Sequence, residues 1–291
     1  MLCLTRRCLI AGLSSVMSLD LTGPVRAAEV DLGAIERRHG GRLGVYAIDT
    51  ETGRSLSHRA DERFTMCSTF KGLLAALILS RVDAGQESLT RIVRYDKNDL
   101  SAAGYPDFAA PVTAANLEQG ALTVGTLCQA IVETSDNLAA ILLMRSIGGP
   151  EGLTRFARGL GDMVTRSDRY EPASNDYDGI LDTTTPRAIL GAARTILLGN
   201  VLTRQSQELL ESWMIDAKPG LRRLRSPMPS DWRVGDKTGT SGDETNDYAI
   251  VRPPGRAPLL VTAYYNAPKL DLDAREAVLR QVGTIFVRWA G

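Results

Sequence analysis

The apolar positions of this chain change period twice. Arg42 to Asp49 alternates apolar and polar residues, Glu51-Thr52-Gly53 supplies a turn, and Arg54 to His58 returns, which predicts a β-hairpin. Ahead of it, Val30 to His39 has the spacing of a short helix ended by Gly40-Gly41. Beyond the hairpin the pattern turns helical. The run from Gly72 to Leu79 is apolar on every side, which predicts a buried central helix opening at Ser68, reaching Val82 and closed by Gly85. Further helices are predicted over Thr123–Ile131, Asn137–Ser146, Glu151–Arg158, Pro186–Leu198 and Gln205–Met214, with loop-rich stretches at 98–120 and 162–186. After Lys218-Pro219-Gly220 the strand pattern returns at Trp232–Asp236, Asp247–Arg252 and Leu259–Asn266, and Asp273–Trp289 reads as an amphipathic helix. Strands at both ends and helices between them predict an α+β fold: an antiparallel sheet built from both termini, flanked by helices, with an inserted all-α lobe. The expected division is 28–62 with 217–291 for the α/β lobe, and 63–216 for the all-α lobe.

Composition narrows the function. With 291 residues, 44% of them hydrophobic, the chain can bury a large core. Lys plus Arg equals Asp plus Glu at 34 each, so no basic excess points to nucleic acid. No 18-residue uncharged apolar run suggests a membrane span. Residues 1–27 read as an export signal: Arg6-Arg7, an apolar stretch from Cys8 to Leu19, and small residues around Val25-Arg26-Ala27. Thr5-Arg6-Arg7-Cys8-Leu9-Ile10 is similar to a twin-arginine signal, although a general secretory route fits as well. Cleavage removes three arginines and one aspartate and leaves a mature chain with a net charge of −2. The expected location is periplasmic or secreted, with no membrane attachment after cleavage.

The candidate chemistry begins at Ser68-Thr69-Phe70-Lys71. A serine at the mouth of a buried helix, with a lysine one turn on, sits where the helix N-terminus favours developing negative charge. Capping by Ser and surface exposure of Lys give the same pair a purely structural reading. Three further clusters have the same double reading. Ser135-Asp136-Asn137 is either a helix cap or a loop presenting Ser135 and Asn137 to a cleft. Lys237-Thr238-Gly239, just after a predicted strand, is either edge protection or a cation and hydroxyl beside free backbone donors. Glu171 and Asn175 lie four apart in the long loop, where a carboxylate and an amide can hold one water between them. The only histidines are His39 and His58, and there is no C-x-x-C, H-x-x-x-H or G-x-S-x-G pattern. A zinc site and a Ser-His-Asp hydrolase are both disfavoured, and no metal or cofactor is expected. Cys67 and Cys128, the cysteines left after cleavage, read as buried thiols.

Ser-x-x-Lys, Ser-Asp-Asn and Lys-Thr-Gly, in this order and spacing, resemble the motif set of the serine penicillin-recognising enzymes, and Glu171-Pro-x-x-Asn175 resembles class A β-lactamases in particular. The resemblance runs from Val30 to Trp289. It implies hydrolysis of the β-lactam ring through an acyl-serine by a monomer acting on a small β-lactam and a water. Ser68 would be the nucleophile, and Lys71 and Glu171 would share its deprotonation. Ser135 would protonate the leaving nitrogen, while Asn137 would bind the substrate side-chain amide. Lys237 and Thr238, with Arg223, would hold the substrate carboxylate. The backbone N–H groups of Ser68 and Thr240 would form the oxyanion hole. Glu171 and Asn175 would hold the hydrolytic water. The resemblance also implies an Arg169–Asp182 ion pair across the long loop, and Arg225 is a candidate partner for Asp236. Against common members the 171–182 stretch is about two residues short, Ser174 replaces a leucine, and the gating aromatic has only Tyr105 and Phe108 as candidates. A DD-peptidase and a penicillin sensor that stays acylated are the alternatives. The Glu171–Asn175 pair counts against the first, and the lack of a signalling span against the second.

Overall fold

The computed structural model describes residues 32–104 and 109–291. The export stretch at 1–27, Tyr105 and Phe108 lie outside the described residues. The chain opens with α1 (Leu32–His39), β1 (Arg42–Asp49), β2 (Ser55–His58) and β3 (Phe64–Thr65). A 3-10 turn at Cys67–Thr69 then runs into α2 (Phe70–Asp83). The middle of the chain holds β4 (Ile92–Arg94), α3 (Lys97–Ala102), α4 (Pro111–Ala115), β5 (Ala121–Thr123), α5 (Val124–Glu133), α6 (Asn137–Ser146) and α7 (Gly149–Gly159). After a long loop come β6 (Thr183–Thr184), α8 (Pro186–Leu198) and α9 (Arg204–Ile215). The chain ends with β7 (Arg233–Thr240), β8 (Glu244–Arg252), β9 (Leu259–Asn266) and α10 (Leu272–Ala290).

The five long strands form one antiparallel sheet in the order β2-β1-β9-β8-β7, so β7 is an edge. Its two faces follow from strand alternation. Tyr248, Ile250, Leu260 and Tyr264 join the core that surrounds α2. The alternate residues point to the other side, where α10 packs on β8 and β9 with Val278, Val282 and Phe286 buried. From Phe70 to Ala76 every residue of α2 is buried, Lys71 included.

The structure departs from the sequence reading at three places. The 98–120 stretch, read as loop, carries α3 and α4. Asp96 starts α3 with a reciprocal capping box to Asp99, and Pro111 occupies the first turn of α4. The strand expected to end at Asp236 continues to Thr240, so Lys237, Thr238 and Gly239 lie within β7 rather than after it. The start of β8 likewise moves from Asp247 back to Glu244.

Gly72 permits the closest approach between α2 and the sheet. A Cβ there would stand 1.9 Å from the Tyr248 hydroxyl oxygen. In a helix, Gly to Ala is ordinarily stabilising by up to about 1 kcal/mol. Overpacking typically costs about 1–3 kcal/mol, so Gly72→Ala is expected to lower unfolding stability in urea titration. Gly72→Ala/Tyr248→Phe should recover part of the loss. A variant as stable as the parent would show that Tyr248 yields freely.

Candidate active site

The N-terminal end of α2, the turn before α6, the long loop and edge strand β7 meet at one cleft of about 270 Å³, lined by Ser68, Ser135, Asn137, Asn175, Thr238 and Thr240 among others. Each contributor is held by a local device. Ser68 lies in the 3-10 turn, which follows Cys67 in the left-handed region at φ 47°. Thr69 donates to the Met66 carbonyl at 2.8 Å and meets the Tyr264 hydroxyl at 2.7 Å. Gly239 lets β7 press on this turn, because a Cβ there would lie 2.6 Å from the Met66 carbonyl oxygen and 3.2 Å from the Ser68 nitrogen. Ser135 is also left-handed, at φ 62°. Such backbone costs energy and persists only where its surroundings hold it.

Asp136 supplies that hold. Its carboxylate caps α6 by accepting from the Ala139 N–H at 2.8 Å, and it accepts from the Val112 and Thr113 N–H groups of α4 at 3.0 and 2.9 Å. The helix cap and the cleft-facing geometry of Ser135-Asp136-Asn137 therefore coexist. The middle residue caps while its two neighbours face the cleft.

Lys71 is the centre of the polar network. Its ammonium donates to the Ser135 carbonyl at 2.8 Å, to Ser135 Oγ at 3.4 Å and to Asn137 Oδ1, and it stands 3.1 Å from Glu171 Oε1. Ser68 Oγ donates to the same Glu171 oxygen at 3.4 Å. Asn175 Nδ2 donates to the other, Oε2. Lys237 Nζ reaches Ser135 Oγ at 3.2 Å and the Thr238 carbonyl at 2.8 Å. Ser135 Oγ thus lies between two lysines. Burial, and then the nearby Lys71 charge, push the Lys237 ammonium well below its usual pKa. Burial pushes the Cys67 thiol well above its own, with Glu244 adding to the shift, so the cysteine beside Ser68 is held as an unreactive thiol. Cys67 and Cys128 are both free and buried.

Arg223 is placed differently from a free anion-binding cation. Only 2% of it is exposed. Its guanidinium donates to Glu276 at 3.2 Å, to the Gly239 and Asn246 carbonyls at 3.1 and 2.9 Å, and to Thr240 Oγ1 at 2.7 Å. Its charge stands behind Thr240 and acts through the strand. Arg225 Nε is 3.0 Å from Asp236 Oδ2, the pairing expected from sequence, while its other nitrogens donate to the Ile215 and Ala217 carbonyls. Asn246 was not singled out by the sequence reading. Its side chain donates to the Thr65 carbonyl at 2.9 Å and so ties β8 to the segment leading into Ser68.

The long loop is pinned at its base. Asp182, left-handed at φ 52°, accepts from the Asp168 and Arg169 N–H groups at 2.7 and 3.0 Å and from Arg169 Nε at 2.6 Å. Its own carbonyl accepts from the Met66 N–H at 2.9 Å, so the loop is tied to the strand entering the nucleophile turn. A 3-10 turn at Ala173–Asn175 then carries Asn175 over Glu171, across a cis Glu171–Pro172 peptide. Ala109 also lines the cleft.

A model of the β-lactamase enzyme family matches residues 27–290 of this chain. The chain belongs to that family. It is 44% identical over 275 residues to a β-lactamase of Streptomyces albus G, covering 93% of this chain and 87% of the relative. The structure superposes on a β-lactamase from Burkholderia vietnamiensis with a TM-score of 0.86 at 62% identity, covering 89% of this chain and 94% of the other. It superposes on the class A β-lactamase of the last common ancestor of Gram-negative bacteria with a TM-score of 0.84 at 48% identity, covering 89% and 98%. A class A β-lactamase with this loop geometry depends on Asp182. Removing a partly buried carboxylate that accepts from two backbone N–H groups and pairs with Arg169 should cost about 1–3 kcal/mol. Asp182→Ala is expected to lower thermal stability and to speed tryptic cleavage after Arg166 and Arg169. Unchanged cleavage would mean that the loop is held elsewhere.

Proposed function

We propose that Ser68, Lys71, Ser135 and Glu171 carry out hydrolysis of the β-lactam amide, the reaction that makes this chain an antibiotic-resistance enzyme. The observation that carries the assignment is the shared Glu171 oxygen, 3.4 Å from Ser68 Oγ and 3.1 Å from Lys71 Nζ. A serine hydroxyl is a weak nucleophile until a neighbour takes its proton, and here the carboxylate oxygen that accepts from it is itself paired with Lys71. Ser68 Oγ attacks the lactam carbonyl while the backbone N–H groups of Ser68 and Thr240 receive the oxyanion. As the C–N bond breaks, Ser135 hands its proton to the leaving nitrogen and is reprotonated by Lys71, which in turn takes from Glu171 the proton that left Ser68, so that Glu171 is again a carboxylate when the acyl-enzyme has formed. Lys237 and Thr238 hold the substrate carboxylate, with Arg223 adding positive charge from behind Thr240. Asn137 takes the substrate's side-chain amide.

Turnover needs a second use of Glu171. Held through Oε2 by Asn175, it deprotonates a water aimed at the acyl carbonyl. A DD-peptidase or a sensor has no need of this pair, and its presence beside Ser68 favours the hydrolase. We read the enzyme as acting as a monomer. We divide the chain into an α/β lobe (28–62 and 217–291) and a second lobe (63–216), read from sequence as all-α, that is mainly helical but also carries the short strands β3 to β6. We read residues 1–27 as directing export to the periplasm or medium. Among the described residues no helix is long and apolar enough to cross a membrane.

Glu171→Ala is expected to accumulate acyl-enzyme with benzylpenicillin, visible as a persistent mass increase, while steady turnover falls by at least about 100-fold. Ser68→Ala should form no adduct. Rapid turnover by Glu171→Ala would remove Glu171 from the mechanism.

A further inference from the structure

Behind the carboxylate anchors lie two aspartates that the mechanism does not use. Asp236 precedes Lys237 on β7, and Asp247 stands directly opposite Thr238 on β8. Asp236 pairs with Ala249, so alternation places Asp236, Thr238 and Asp247 on one face of the sheet, with the two aspartates as diagonal neighbours. Both are wholly buried. Of their four carboxyl oxygens, three accept no hydrogen bond: both of Asp236 and Oδ1 of Asp247. The fourth accepts from the Leu224 N–H at 3.2 Å.

The surrounding charges do not fill this gap. Arg225 Nε forms an ion pair with Asp236 Oδ2 at 3.0 Å but makes no aligned hydrogen bond to it. Arg223 is fully engaged with Glu276 of α10, two carbonyls and Thr240. Lys237 points to the other face, toward Ser135. On the Asp236 side the backbone of Gly220 closes in, leaving no room for a Cβ, which would fall 1.8 Å from Asp236 Oδ2. Tyr248, next to Asp247, completes the set of titratable neighbours. Two adjacent buried carboxylates with three bare oxygens are costly if both are ionised. One proton between them removes a charge and supplies the missing donor.

We propose that Asp236 and Asp247 share a single proton and act as positioning residues that hold the charge behind the carboxylate-binding site at one negative unit. Burial, together with mutual repulsion at Asp247, holds both carboxyls above the usual range, which agrees with the geometry. The functional consequence rests on Lys237, Thr238 and Arg223 being the substrate-carboxylate anchors. With one proton on the pair, the positive field of Lys237 and Arg223 reaches the substrate. Loss of that proton adds a negative charge on the same sheet face as Thr238 and weakens the attraction. KM then rises with pH through a group that never touches the substrate.

The test has two arms. In the first, the enzyme carries aspartate labelled with ¹³C at the side-chain carboxyl, which separates these groups from the buried Glu244. Infrared spectra at pH 7 should show a label-shifted protonated-carboxyl band in the parent that is absent from Asp247→Asn. If no such band exists, the shared proton is wrong. Should Asp247→Asn fail to fold, loss of the band from the labelled parent as pH is raised, or from Asp236→Asn, answers the same question. The second arm measures KM for benzylpenicillin at pH 7 and pH 9. The parent should show a rise on the order of tenfold, the scale of one unit charge acting over about 12 Å at an effective dielectric constant of about 20. Asp247→Asn should show almost none of that rise. Titration of Lys237 would raise KM in both proteins, and at lower pH in Asp247→Asn because the Asp247 charge supports its protonation, so a rise in the variant equal to or larger than the parent's would overturn the link to substrate binding. If the parent never binds penicillin, the anchor reading fails on its own, while the spectroscopic arm still decides the pair.

Discussion

The structure is organised around one buried charge. Lys71 is wholly enclosed on a helix that is otherwise apolar from Phe70 to Leu79, and an ammonium in that position is tolerable only if its hydrogens are taken and its charge is matched. The acceptors come from two separate parts of the chain: the Ser135 carbonyl and the Asn137 amide at the start of α6, and the Glu171 carboxylate in the long loop. Satisfying Lys71 therefore draws the turn before α6 and the long loop onto the end of α2. The same convergence puts a carboxylate oxygen beside Ser68. Folding demand and catalytic demand are met by one set of contacts, which explains how reactive groups can sit on the most rigid helix of the molecule.

Edge strand β7 brings the remaining half of the site. An edge strand leaves backbone donors free on one side, and Gly239 lets those donors come down onto the nucleophile turn. The positive charges at this edge are arranged in depth. Lys237 faces the cleft, Arg223 stands behind Thr240, and the Asp236–Asp247 pair lies on the far face. A pocket for an anion built in this way is tuned from behind as well as by the residues that line it.

Much of this was legible in the sequence because apolar periodicity and motif spacing are local signals. The run from Gly72 to Leu79, the hairpin pattern at 42–58 and the final amphipathic helix each specify their own element. The four polar clusters stood out because Ser, Lys, Asp and Glu at such spacings have few structural reasons to recur in this order. What escaped follows the same logic. Lys237, Thr238 and Gly239 read as the end of a strand because they are polar, yet they are buried by the site they form. The helices α3 and α4 are too short to show a period, although Asp96 and Pro111 mark their starts. The engagement of Arg223 by Glu276, 53 residues away, and the tie from Asn246 to Thr65 are tertiary facts that no local pattern encodes.

The central claim is that Ser68, and no neighbour, takes the acyl group. The most direct measurement is to quench the enzyme during turnover of a slowly released β-lactam, digest it, and locate the added mass by fragmenting the peptide that spans 64–71. The account predicts the acyl group on Ser68. Its appearance on Cys67 or Lys71, or sustained hydrolysis with no adduct on this peptide at any time, would contradict it.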